Sequence, residues 1–114
     1  MEAIDFLNSI VTVTIDRCMG DTHPRHNFVY PLNYGFVAGV PAPDGHDLDA
    51  YVVGVFEPVS EFTGRCIAVL RRSDDDDDKL IVAPDGTNYT DDQIRALTEF
   101  QERWFTSTIV RISP

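Results

Sequence analysis

Asp44, His46, Asp47 and Asp49 place three carboxylates and one imidazole within six residues of the chain. Gly45 lets the backbone turn between them, and the run then enters an apolar segment, Tyr51-Val52-Val53-Gly54-Val55-Phe56. Clustered carboxylates repel one another by roughly 1 kcal/mol per pair at contact distance in water. A chain that gathers them beside a buried strand has use for a cation that offsets the repulsion. Oxygen ligands suit hard divalent ions, Mg²⁺ or Mn²⁺. Spacing alone leaves a solvated acidic turn open as the alternative. An EF-hand loop is excluded, because the D-x-[DN]-x-[DN]-G order is absent.

Two other stretches carry chemistry. Tyr30-Pro31-Leu32-Asn33-Tyr34-Gly35-Phe36 lies upstream, and Asp74 to Asp78 followed by Lys79 lies downstream. In that order, YPLNYGF, DGHDLDAY and an acid-rich turn ending in Lys-Leu, the blocks resemble the soluble Mg²⁺-dependent inorganic pyrophosphatases, and most of all their shortened branch. The resemblance runs from about Thr12 to Phe105. It implies a small, distorted, five-stranded OB-like barrel with one amphipathic helix packed against it. It also implies hydrolysis of pyrophosphate to two orthophosphates by a metal-activated water. Asp44 and Asp49 would be the principal metal ligands, with Asp74 and Asp77 completing the cage. Arg17, Tyr30, Tyr34 and Lys79 would grip phosphate. The implied cofactor is Mg²⁺, and the implied assembly a homo-oligomer.

The chain departs from the family pattern at several points. His46 stands where the family has the carboxylate nearest the attacking water. A neutral imidazole adds no negative charge, so His46 is expected to shift metal preference toward Mn²⁺, Co²⁺ or Zn²⁺. Asp47 is the adjacent carboxylate available to the catalytic group of Asp44, His46 and Asp49. A lysine and a glutamate that longer members carry before the first strand have no clear counterpart. Trp104-Phe105 replaces a Tyr-Lys pair, so one phosphate-binding cation is lost. His23, Arg25 and His26 in the Gly20–Asn27 loop are the residues expected to replace it. These departures keep two alternatives open: a catalytically weak relative that binds phosphate or metal, and a hydrolase of another phosphoanhydride.

Composition bounds the rest. At 114 residues the chain makes one domain, residues 1–114. A formal net charge of −10 argues against nucleic-acid binding and against an anionic membrane surface. The N-terminal residues carry Glu2 and Asp5 and no basic stretch, unlike a signal peptide. With only Cys18 and Cys66, reduced thiols in a cytoplasm are expected rather than a disulfide.

The elements that must position these groups read as mainly β with one helix, an α+β domain. Strands are expected at Ile10–Ile15, Phe28–Tyr30, Tyr34–Ala38, Asp49–Phe56, Arg65–Leu70 and Leu80–Ala83, with Thr108–Ile112 a last strand or extended tail. Val11, Val13 and Ile15 should share a face, and Val52 to Phe56 should be buried on both faces. Glu57–Gly64 reads as a connector. Thr90 with Gln93 forms a capping box, which opens a helix over Asp91–Phe105. Its apolar stripe is Ile94, Leu97, Phe100 (or Gln101) and Trp104.

Overall fold

The computed structural model describes residues 2–43, 45–73 and 77–111. Asp44 and Asp74 therefore lie outside the described residues. The strands are β1 (Ile10–Arg17), β2 (Asn33–Pro41), β3 (Asp47–Val52), β4 (Glu61–Arg72), β5 (Lys79–Ala83) and β6 (Ser107–Val110). One helix, α1 (Asp91–Glu102), precedes β6, and a short 3₁₀ turn, Ala3–Phe6, opens the chain. Strand order is β1-β2-β3-β5-β4-β6, and β1 also pairs with β4. That last pairing closes β1, β2, β3, β5 and β4 into a ring, with β6 hung on the edge of β4. Closure leaves the ring without a free edge. All ring pairings are antiparallel except β3–β5, which is parallel.

Alternation along the strands builds two apolar clusters. Val11, Val13, Leu48, Ala50, Val52, Leu80 and Val82 fill the barrel. Tyr51, Val53, Ala68, Leu70, Ile81 and Ala83 point the other way and meet Ile94, Leu97 and Phe100 of α1. Both faces of β5 are thus covered, and all five of its residues are buried. Gly35 marks the tightest approach of two strands: a Cβ there would overlap the carbonyl of Thr14. The capping box of Thr90 and Gln93 forms as expected. Thr90 Oγ1 accepts from the Gln93 N–H, and the Gln93 side chain accepts from the Thr90 N–H.

Several boundaries differ from expectation, each for a local reason. Gly54 adopts φ +82° and turns the chain out after Val52, so Phe56 is 80% exposed rather than buried. The helix ends at Glu102. Beyond it the chain unwinds and lays the Phe105 ring under the Arg72 guanidinium, 3.7 Å away. Helical spacing then no longer governs Trp104, which is 57% exposed. Phe28–Tyr30 forms only a bridge, Thr22 to Val29, and packs through its rings instead. Four residues of the expected connector, Glu61 to Gly64, belong to β4 and pair with β1. Their alternation is interrupted by Gly64, which has no side chain to bury.

Lys79 and Leu80 start β5 and are both buried, Lys79 to 2% exposure. Asp75 to Lys79 spells the enteropeptidase recognition string. A protease must pull that lysine out of the sheet before it can cut. The native protein should therefore resist enteropeptidase and be cut after Lys79 once unfolded, as read by gel electrophoresis. Rapid cutting of the native chain would contradict the insertion of β5.

Candidate active site

Register brings the charged groups together. In the parallel β3–β5 ladder Asp49 lies opposite Lys79, and in β2–β3 Tyr34 lies opposite Tyr51 and Phe36 opposite Asp49. A bulge after Ile15 sets Arg17 opposite Tyr34. The buried Lys79 ammonium donates to Asp49 Oδ2 at 2.8 Å, to the Tyr34 hydroxyl at 2.9 Å and to Asp77 Oδ2 at 3.1 Å. All three protons of the amine are thereby used. These oxygens outweigh burial and hold the lysine above its ordinary range. Burial first, and then Asp49, raises Tyr34 against the opposing pull of Lys79, so its hydroxyl keeps its proton.

A second charged chain abuts the first. Arg72 grips Glu102 with two parallel bonds, Nε at 2.9 Å and Nη2 at 2.7 Å. Its Nη1 reaches the same Asp77 oxygen that Lys79 holds, at 3.1 Å. Tyr51 donates to Glu102 at 2.7 Å and accepts from Gln101 at 2.7 Å. Buried charge is tolerable only when paired and hydrogen-bonded in this way.

These groups form the floor of a cavity of about 500 Å³, made by Tyr34, Asp49, Arg72, Asp77 and Lys79. Its wall is aromatic and imidazole: His23, His26, Phe28, Trp104 and Phe105. Asp49 also lines a shallower cleft of about 320 Å³ with Asp16, Phe36, His46 and Asp47. Burial raises the Asp16 carboxyl, Arg17 opposes this, and the neighbouring Asp49 adds to the rise.

Asp49, Asp77, Lys79 and Tyr34 thus meet, while His46 and Asp47 lie across Asp49 in the second cleft. Arg17 is half-buried beside Asp16, whose carbonyl accepts from its Nη1 at 3.2 Å. Tyr30 is buried behind the cleft and donates to Gln101 at 3.2 Å. His23 departs from its expected role. Its Nδ1 accepts the backbone N–H groups of Arg25 and His26, at 3.1 and 3.2 Å. That acceptor must carry a lone pair, and burial with the nearby positive groups also lowers its pKa. His23 is therefore a neutral ring and not a replacement cation.

Asp16, Arg72 and Glu102 were not picked out as site residues by sequence. Arg72 and Glu102 are thirty residues apart, and no local spacing announces such a pair. Asp16 was detectable in principle, since it adjoins Arg17 at a strand end.

The donor set is carboxylate oxygen with one imidazole, which fits a hard or borderline divalent cation. Among the described residues, no three His, Cys, Asp or Glu side chains converge as a metal cage. Lys79 supplies the positive charge between Asp49 and Asp77.

Barrel, packed helix and mixed-charge cleft make a small α+β domain whose site can hold a polyanion. The inorganic pyrophosphatase family profile matches residues 11–110, and the chain belongs to that family. The fold is similar to solved inorganic pyrophosphatases. That of Ehrlichia chaffeensis has TM-score 0.68 and 19% identity, over 89% of this chain and 84% of that one. For Helicobacter pylori the values are 0.64, 18%, 90% and 82%, and for Coxiella burnetii 0.60, 19%, 90% and 84%. No curated protein sequence matches the chain. Among the described residues, no helix is long and apolar enough to cross a membrane.

Lys79→Met would leave Asp49 and Asp77 facing each other without their shared amine. Both acids are about a quarter exposed, so the expected loss is about 2–3 kcal/mol, below the value for a fully buried pair. A raised lysine stabilises at every pH below its ordinary value of 10.5 and ceases to as pH climbs through its folded value. Denaturant titrations of both proteins should therefore differ at pH 7 and converge in strong alkali. Equal stability at pH 7 would rule this role out.

Proposed function

We propose that this cleft hydrolyses inorganic pyrophosphate with a divalent cation, Mg²⁺ or, given His46, Mn²⁺, Co²⁺ or Zn²⁺. The supporting observation is the convergence of Asp49, Asp77, Lys79, Tyr34 and Arg72 on one cavity in a member of this family. Asp49 is the shared ligand of the reading, with Asp77 on one side and Asp47 and His46 on the other. Asp44 and Asp74 are the further ligands implied by family resemblance. When bound, a divalent cation supplies an acidified water and neutralises charge on the leaving phosphate.

The remaining work falls to this chain's own groups. Lys79, kept charged by its neighbours, holds phosphate oxygen, and Tyr34 offers its retained proton as a donor. Arg17 supplies a further cation at the edge, and Tyr30 supports the cleft from behind through Gln101. Arg72 takes the place of the cation missing at position 105. Its guanidinium sits over the Phe105 ring at 3.7 Å, so charge returns to that corner from β4 instead of from the helix end. The protein is read as cytoplasmic and homo-oligomeric, with the exposed Phe56 and Val29 as apolar surface for self-association.

Phosphate release from pyrophosphate is the direct test. Assayed with each of the four metals in turn, the protein should turn over, with its optimum shifted away from Mg²⁺. Asp49→Asn should lower the rate by about 100-fold or more. No release with any metal would leave a binding protein only, and a plain Mg²⁺ optimum would remove the role given to His46.

Arg72 has its own test. Arg72→Met should weaken binding of methylenediphosphonate, an uncleavable pyrophosphate analogue, by about ten-fold. Adding Phe105→Lys to that variant should recover most of the loss in calorimetry, with circular dichroism monitoring the fold. Failure of the lysine to rescue a folded double variant would show that Arg72 acts only through Glu102.

A further inference from the structure

The cavity is larger and more aromatic than a bare diphosphate calls for. At about 500 Å³ it falls in the range of about 300–1,000 Å³ that encloses drug-sized organic ligands. Its charged lining is Asp49, Arg72, Asp77 and Lys79, which are joined to one another by ion pairs. On the wall, the Trp104 ring centroid stands 5.9 Å from both His26 and Phe28. His23 stands 4.8 Å from His26 and 4.7 Å from Phe28. The hydrogen bonds received by His23 keep it neutral, so this ring offers a π-face rather than a charge. Arg103 adds a cation 5.6 Å from the Trp104 ring. An inorganic anion has no flat apolar surface to lay on such a wall. A nucleobase does, and stacking on aromatic side chains accepts any base.

We infer that the site takes a nucleoside 5′-diphosphate, its diphosphate on the Lys79–Arg72 floor and its base against the His26–Phe28–Trp104 wall. This rests on the phosphoanhydride reading above and names its organic substrate. In the reaction, water adds to the terminal phosphorus and the anhydride P–O bond breaks. The electron pair of that bond leaves with the nucleoside monophosphate. Orthophosphate is the other product, and the surplus proton of water passes to solvent. The wall residues position the base and make no contact with the reacting atoms.

Trp104 is the chain's only tryptophan, so its fluorescence reports on the wall alone. With Mg²⁺ present, the uncleavable α,β-methylene analogue of ADP should quench Trp104 saturably. In calorimetry it should bind about ten-fold more tightly than methylenediphosphonate. Phe28→Ala should weaken the nucleotide severalfold and leave methylenediphosphonate within about two-fold, and His26→Ala should weaken the nucleotide more than methylenediphosphonate. His26 is exposed, so its variant should fold even if that at Phe28 does not. Absence of quenching, equal affinity for the two analogues, or equal weakening of both would overturn the inference while leaving pyrophosphate hydrolysis intact. So would a Trp104 spectrum that shifts with protein concentration, which would show a second copy on the wall. If neither analogue binds, the phosphoanhydride reading falls and this one with it.

Discussion

A buried ammonium needs acceptors for every proton it carries, and that requirement at Lys79 sets the arrangement of the mouth of this barrel. The lysine begins a strand covered on both faces, so it has no route to water along its own element. Its acceptors must come from neighbouring chain. The parallel pairing of β5 with β3 supplies Asp49, the neighbouring β2 supplies Tyr34, and the segment before the strand supplies Asp77. A one-residue slip in the β3–β5 register would turn Asp49 into the barrel and Ala50 out of it. The apolar interior and the charged cleft therefore enforce the same register, each by the cost of its alternative.

That shared constraint explains why so much of the architecture was legible. Val11, Val13 and Ile15 alternate cleanly, the Thr90–Gln93 box marks a helix start, and the acidic groups bracket a β-branched run. Local rules suffice for each. They failed where a distant contact decided the outcome. The last turn of the expected helix gives way because Arg72, from β4, takes the Phe105 ring and Glu102 together. Phe56 is written like a core residue, but Gly54 turns the chain away before it arrives. The site follows the same division. Lys79 and Asp49 sit in recognisable blocks, whereas Arg72 and Glu102 are an ordinary strand end and an ordinary helical glutamate until the fold brings them within 2.7 Å.

The two charged chains meet at one atom. Asp77 Oδ2 accepts from Lys79 and from Arg72, both at 3.1 Å. Glu102 extends the line to Tyr51, and Gln101 carries it on to Tyr30. The line runs from the sheet mouth to the helix end, so the helix is fastened by polar bonds as well as by the cluster around Ile94. Such a network fixes the cleft only while each member is satisfied. It also couples the floor to the wall, because the helix end that presents Glu102 to Arg72 continues directly into Trp104 and Phe105.

Charge across the whole molecule makes this local pairing necessary. A chain of net charge −10 repels an anionic ligand at long range, and screening removes that repulsion only beyond about 8 Å at physiological ionic strength. Attraction must then be built at short range, in a partly dry cleft where opposite charges count for more. In the proposed function Lys79 and Arg72 would meet that need, but each is tied to carboxylates that partly cancel it. Such a floor holds its cations in place without a ligand, and would give up some of that pairing to phosphate oxygens in the proposed function. A surface that carries no opposing charge, such as the aromatic wall, would add affinity without contending with the acidic field. In an acidic protein, the uncharged part of the site is where selectivity among anions is most cheaply placed.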